Sequence, residues 1–424
     1  MRAKKEFWSL NPASILYFLI LLFLPTQFGR HFWPDFSNVS GLRIDYLSPT
    51  TYVTDILIAS LFILWFLPNF KKIRKLKISL PVPLMVFLIF LALGAFLSVS
   101  PASSLYGFLK LVEFSFFGFY TAKNIKNLRT VVAPLSIGVA FESLLTIAQY
   151  FNSGSLGGIF YFFGERFFNS QTPGIANASL SGSLVLRPYG TFSHPNVLAA
   201  YLTLSMSLII FTYDKLSGNL KTIYSLVLIL GTVALLLTFS RVAILAWVVA
   251  LSFWIIRRFG KSLRLKIALP ILITLLLFFS VSHVGVRFSE LRLSDEAVSN
   301  RLLLSKSAFS MIWDKPILGT GLSNFLPNLP VYINSSGNVF YVQPVHNIFL
   351  LILAEMGIAG FLFFVWFSAK TYGRIVQNKK NRLLFIILLF EILILGFFDH
   401  YFLTLQQGQL LLALSFGLFW SDTI

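Results

Sequence analysis

The chain has 424 residues, 56% of them hydrophobic and 47 of them Phe, with a mean hydropathy of +0.79. Apolar runs of membrane-crossing length recur from end to end, which excludes a soluble globular protein. A formal charge of +18 needs no nucleic acid partner, because most of the Lys and Arg lie between apolar runs where they face anionic lipid headgroups, and the lack of Cys excludes disulfides, thiolate metal sites and cysteine nucleophiles.

Taken in chain order, the apolar windows predict an all-α, polytopic integral membrane protein, one multi-span domain over residues 1–424. About twelve transmembrane helices are expected, near residues 13–29, 52–70, 81–100, 105–122, 130–151, 195–213, 221–240, 242–257, 266–283, 347–368, 383–398 and 404–420. The charged start and first apolar run lack a small-residue cleavage site and read as an uncleaved anchor. With the N-terminus cytoplasmic, the inside segments hold 23 of the 34 Lys and Arg, against 10 outside and Lys110 within a span. Cations are retained on the cytoplasmic side, so both termini are expected there, in the cytoplasmic (inner) membrane.

Two outside segments exceed simple connectors, residues 152–194 and 284–346. The first is rich in Gly, Ser, Asn and Phe and reads as lying in the membrane interface. The second, a large extracytoplasmic loop, opens with charge from Arg287 to Glu296. It continues through Arg301 to Trp313 with apolar Leu302, Leu303, Phe309, Ile312 and Trp313, the pattern of an interfacial helix that Pro316 ends.

On this topology Arg187, His194, Arg241, Arg287, Arg292, Arg301, His346, Asp399 and His400 all fall at or beyond the outer membrane face. His346 opens a long apolar helix, and an imidazole at that position is a candidate general base. Arg241 stands where two apolar runs meet almost without a loop, a costly place for a guanidinium unless it meets water or an anion such as a pyrophosphate. Arg287, Arg292 and Arg301 add positive charge to the outer loop. Glu290, Asp295, Glu296 and Asp314 partly offset it, so local ion pairs stand beside anion binding as a reading. Asp399 and His400 pair a carboxylate with an imidazole, followed by Thr404 and the run Gln406, Gln407, Gly408. Lys110, Glu113, Glu142, Glu355 and Glu391 place charge inside spans, which suits a proton-coupled transporter. No HExxH, DxD, Walker or strand-linked GxGxxG pattern occurs, so no metal and no nucleotide or other cofactor is expected.

Four stretches together resemble the O-antigen ligase and O-antigen polymerase superfamily, across roughly residues 188–408. They are Tyr189 to Asn196 entering a span; Ser240-Arg241 with Leu245; Arg301 followed by Asp314 to Gly321; and His346-Asn347 with Gly357 and Gly360. The resemblance implies a metal-independent, inverting glycosyltransferase on the outer, periplasmic or extracellular, face of the membrane. Its partners would be a glycan donor carried on undecaprenyl or another polyprenyl pyrophosphate, a lipid or glycan acceptor hydroxyl, and the membrane lipids themselves. By residue, it implies donor pyrophosphate binding by Arg241 and Arg301 and activation of the acceptor by His346. Arg187, His194, Asn196, Arg287, Arg292, Asn347, Asp399 and His400 are the expected substrate-contacting set, with Asn347, Gly357 and Gly360 also having an architectural reading. A ligase of lipopolysaccharide type is expected, a repeat polymerase of the same superfamily is the alternative, and a secondary transporter or flippase is the rival from another class.

Overall fold

A computed structural model describes residues 11–73, 81–180, 183–258, 296–333 and 342–424. The expected span at 266–283, together with His283, Arg287 and Arg292, lies outside the described residues.

The described chain is mostly helical. Helices α1 (Pro12–Leu22), α2 (Val53–Ile73), α3 (Val82–Phe96), α4 (Pro101–Asn124) and α5 (Leu128–Asn152) come first. They are followed by α6 (Pro195–Thr212), α7 (Asn219–Leu237) and α8 (Arg241–Arg258). Beyond these lie α9 (Glu296–Asp314), α10 (Phe325–Tyr332), α11 (Ile348–Gln377), α12 (Arg382–Phe398), the single turn α13 (Tyr401–Thr404) and α14 (Gln406–Phe419). Val53–Lys71, Leu128–Asn152, Pro195–Lys215, Asn219–Leu237 and Ile348–Gln377 are long and apolar enough to cross a membrane, while Pro12–Leu22 and Val82–Phe96 are shorter apolar helices. This is a helical membrane protein. The apolar windows resolve into helices of unequal length: the first ends at Leu22, three residues short of Pro25, and the last two, α12 and α14, are parted by Asp399, His400, the turn α13 and Leu405.

Three two-stranded antiparallel sheets were not part of the all-α expectation. Strands β1 (Gly29–His31) and β4 (Thr50–Tyr52) pair around a hairpin of β2 (Asn38–Val39) and β3 (Leu42–Arg43), and β5 (Asn177–Leu180) pairs with β6 (Ser183–Leu186). They sit in connections between helices, and their two to four residues are too short for an alternating pattern to announce them.

Helix α6 is the axis of the bundle. Every one of its residues except Asn196 is buried, and α5, α7, α8, α12 and α14 pack around it. By contrast α2, α3 and α7 expose Leu, Ile, Val and Phe, as helices facing acyl chains do. One charged network lies inside the bundle: Lys110 Nζ lies 2.6 Å from Asp55 and 3.1 Å from Glu113, and Gln406 joins it.

Helix α11 is broken at Gly357, whose φ of 60° and ψ of −164° no helix interior uses. The break frees main-chain groups that bind the Pro316–Gly321 turn. Ile358 N donates to Pro316 O, Thr320 N to Ala354 O and Gly321 N to Glu355 O, each at 2.8 Å. A Cβ at Gly357 would collide with the Ile317 carbonyl, so glycine is required there. The Glu355 carboxylate then accepts from Ser323 N and Phe325 N, satisfying orphan donors at the start of α10. The turn after Arg301's helix is thereby locked to the helix that His346 precedes.

Candidate functional site

His194, His346, Asp399 and His400 each occupy the end of a helix. His194 is the N-cap of α6 and accepts Asn196 N at Nδ1, 3.1 Å away. A helix with Pro at its first position and a buried acceptor before it starts sharply, which fixes the imidazole. The segment leading to it is held from α5. Gln149 Oε1 accepts from Tyr189 N and Gly190 N, and the two oxygens of Glu142 accept from Thr191 N and Thr191 Oγ1. Gly190 has a φ of 58° and a Cβ there would meet the Glu142 carboxylate, so the close approach excludes a side chain.

Asn347 caps α11, its Oδ1 accepting from Phe349 N and Leu350 N while Nδ2 donates to Phe397 O at 3.0 Å. Its polar atoms serve architecture, and they tie the residue after His346 to the end of α12. Asp399 and His400 follow α12 directly. The rings of His346 and His400 meet edge to face with centroids 5.0 Å apart. His346 Nδ1 is buried and makes no hydrogen bond to any described residue.

A chain of hydrogen bonds connects this cluster to an arginine. Arg187 Nη2 donates to Asn196 Oδ1 at 2.7 Å, Asn196 Nδ2 donates to Asp399 Oδ2 at 3.0 Å, and Asp399 Oδ1 accepts from His400 N at 2.8 Å. Arg187 Nε also donates to Thr238 O at 2.6 Å, on the turn that leads to Arg241 at the start of α8. Arg241 is half-buried and Arg301 is exposed on α9.

Burial draws the His346 imidazole below its usual value, with Asp399 opposing and Arg301 reinforcing the shift. His400 is pushed down to about 3 by burial, against Asp399 and with His346 and Arg301. His194 also falls to about 3, through burial and then Arg187, with Asp399 opposing. Burial alone would raise Asp399, but the His400, His346 and His194 imidazoles and the Asn196 amide outweigh it and hold the carboxylate below its usual value. At neutral pH the site therefore holds three neutral imidazoles beside a carboxylate, within the field of Arg301. Neutral imidazole is the form that accepts a proton.

Residues 226–365 match the family model described as O-antigen ligase. That stretch, about a third of the chain, carries the likeness to the O-antigen ligase family. No curated protein matches the chain. The segment matched to the O-antigen ligase family contains Arg241, Arg301, His346, Asn347, Gly357 and Gly360, while Arg187, His194, Asn196, Asp399 and His400 lie on either side of it and complete the cluster.

Of the expected residues, the structure joins Arg187, Asn196, Asp399 and His400 through hydrogen bonds and brings His346 against His400; Arg287 and Arg292 fall outside the described residues. Two further participants emerge. Thr404 Oγ1 lies 2.7 Å from His400 Nδ1 and 3.2 Å from His400 O, which ties the His400 ring to the single turn α13. The Tyr46 ring meets His400 edge on, centroids 5.5 Å apart. Thr404 had a signal in its i+4 spacing from His400, whereas Tyr46 arrives from a distant connection and had none. A further histidine, His31, stands apart from the cluster: it stacks on Trp33 and shares Nδ1 with Ser48 and Thr50 in the β1–β4 region. Finally, one ligand atom from each of His346, Asp399 and His400 lies within 4.8 Å of the others, so these three are the described residues able to hold a divalent cation.

Proposed function

We propose that this protein transfers a glycan from a polyprenyl-pyrophosphate carrier to an acceptor hydroxyl at the outer face of the cytoplasmic membrane, as a metal-independent, inverting O-antigen ligase. The observation that carries the reading is the buried, neutral His346 with an unpartnered Nδ1, set beside Asp399 and within the field of Arg301. In this reading His346 takes the acceptor hydroxyl proton as the oxygen attacks the anomeric carbon. The bond from that carbon to the pyrophosphate oxygen breaks on the opposite face, and polyprenyl pyrophosphate leaves with the electron pair. Pyrophosphate is a good leaving group when its charge is met, the task assigned to Arg241 and Arg301, so no general acid is needed. Asp399 stabilises the imidazolium that forms, and Arg187 and Asn196 hold Asp399 in place. The reading places both termini in the cytoplasm, supported by the excess of Lys and Arg in the segments on that side.

The test is glycan transfer in reconstituted vesicles from a lipid-pyrophosphate donor, with EDTA present, for wild type, His346→Ala and Arg241→Ala. Loss of a general base costs roughly 10²- to 10⁴-fold in rate. Losses of that order in both folded variants support the assigned roles; unimpaired transfer in both sinks them. Transfer that EDTA abolishes and a divalent cation restores would instead give His346, Asp399 and His400 to a metal. Product length separates a ligase, which transfers one whole glycan, from a polymerase, which lengthens a lipid-linked one.

A further inference from the structure

An open surface concavity of about 310 Å³, with Asp35, Asn38, Ser40 and Val99 exposed on its walls, lies between the β2–β3 hairpin region, the α3–α4 connection and α10. Its polar lining comes from Asp35, Asn38 and Ser100 and its apolar lining from Phe36, Pro327 and Pro330. The Asp35 carboxylate has no hydrogen bond or ion pair to any described residue. The Asn38 amide donates only at 3.4 and 3.5 Å, to Pro34 O and Asp35 O, the outer limit of a hydrogen bond. Both groups are open to a ligand.

The walls are preformed. Ser40 and Gly41 make a two-residue hairpin turn with φ of 50° and 81°, a tight connection that holds the β2–β3 pair. Asn324 clamps Ser100 from both sides, accepting from Ser100 N at 2.8 Å and donating to Ser100 O at 3.1 Å, which fixes the α3–α4 connection to the start of α10. Glu355 anchors that same start. A rigid cavity binds without the cost of ordering its walls.

We propose that this cavity is a saccharide subsite, taking an uncharged sugar unit of a glycan whose reacting end lies at His346. The assignment rests on the transferase reading for its role, and on the lining for its chemistry. Among the described residues no Lys or Arg lines the concavity, and Asp35 would repel a pyrophosphate, so it is unsuited to the head of a lipid carrier. Phe36 and the two prolines offer apolar surface to the C–H face of a sugar ring, while Asp35, Asn38 and Ser100 meet its hydroxyls. Mixed linings of this kind and a volume near 300 Å³ are those of small-ligand sites. The subsite and the cluster share one small core: Val39 lines the cavity and packs in the same buried group as Val345, the neighbour of His346, and Tyr46 of that group touches His400. A chain of sugars would cross that core's outer surface between the two places.

The probe is the envelope polysaccharide of the source cells, cut by partial acid hydrolysis to fragments of a few sugars. Binding to the purified full-length protein is read by saturation-transfer NMR. The comparison is wild type against Asp35→Ala, Asn38→Ala and Val99→Trp, the last placing an indole into the cavity from an exposed position. Wild type saturates a fragment, the two truncations weaken binding about tenfold, and Val99→Trp abolishes it. Failure of wild type to bind any fragment, or undiminished binding by Val99→Trp, overturns the subsite. Fragment binding that Val99→Trp abolishes, in a protein that transfers no glycan, would leave the subsite standing and remove the transferase reading.

Discussion

His346 and His400 meet edge to face, ring centroids 5.0 Å apart, with the Asp399 carboxylate held between hydrogen bonds from Asn196 and from the His400 main chain. Two neutral imidazoles in contact beside one carboxylate give the pair opposite electrostatic neighbours. Asp399 favours a proton on His346, and Arg301 disfavours it.

That opposition sets the pH dependence of the proposed transfer. A base works only when neutral, so the rate falls as pH drops through the lowered folded value of His346, below the usual 6.5. Removing the cation with Arg301→Gln raises that value and moves the acidic limb to higher pH. Removing the carboxylate with Asp399→Asn lowers it and moves the limb to lower pH. Rate profiles between pH 4.5 and 8 check this, and limbs that shift in the same direction in both variants would refute the assignment of the limb to His346.

Stability carries a second signature. His194 and His400 are held down to about 3 in the folded protein, while the unfolded chain takes up their protons near 6.5. The unfolded state therefore binds more protons between those values. The contribution of these buried neutral histidines is complete above about pH 6.5 and is lost as pH falls toward about 3. The limiting slope is about 1.4 kcal/mol per pH unit for each. Thermal unfolding in detergent should show Tm dropping between pH 7.5 and 4.5. His194→Gln and His400→Gln should each flatten that decline, whatever they do to Tm at pH 7.5.

Two glycines of α11 make a contrast. Gly357 has positive φ and faces the Ile317 carbonyl, so Gly357→Ala costs roughly 1–3 kcal/mol from backbone strain alone and loosens the lock on the Pro316–Gly321 turn. Gly373 has nothing within 4 Å of a built Cβ and lies in the helical part of the same element. Gly373→Ala should raise stability by about 0.4–1 kcal/mol. Equal effects of the two substitutions would show that the break at Gly357 is not maintained in the membrane.

Much of this arrangement was legible in residues. Apolar windows announced most of the helices, and the spacing from His346 to Gly357 marked a helix with a special interior position. The meaning of that position was hidden, because it depends on Ile317 docking from another segment. Topology put Arg187 and Asp399 at one face and the resemblance added Asn196, yet the hydrogen bond from Asn196 to Asp399 joins positions 203 residues apart in sequence. Tyr46 and the short strands lay in connections where neither period nor composition gave a signal. Asn347 sat beside the proposed base and so fell among substrate contacts, while its actual partners, Phe349 N, Leu350 N and Phe397 O, follow from the capping rule and from the docking of α12.

The buried carboxylates give the last prediction, and it bears on transport as the rival reading. Glu142 accepts from one N–H and one hydroxyl, both of Thr191, so a glutamine can turn its oxygen to the N–H and its amide to the hydroxyl oxygen. Glu355 accepts from two main-chain N–H groups, of Ser323 and Phe325, and a glutamine must point its own N–H at one of them. Glu142→Gln should therefore cost little in Tm and transfer rate, while Glu355→Gln leaves one buried donor unsatisfied and costs about 1–3 kcal/mol. Thermal unfolding and transfer assays on both variants check the order. If these groups instead carried protons across the membrane, Glu142→Gln would abolish the activity at unchanged stability, because a glutamine side chain cannot release and regain a proton at physiological pH. Architectural carboxylates rank by the donors they satisfy; proton carriers would rank by loss of charge alone.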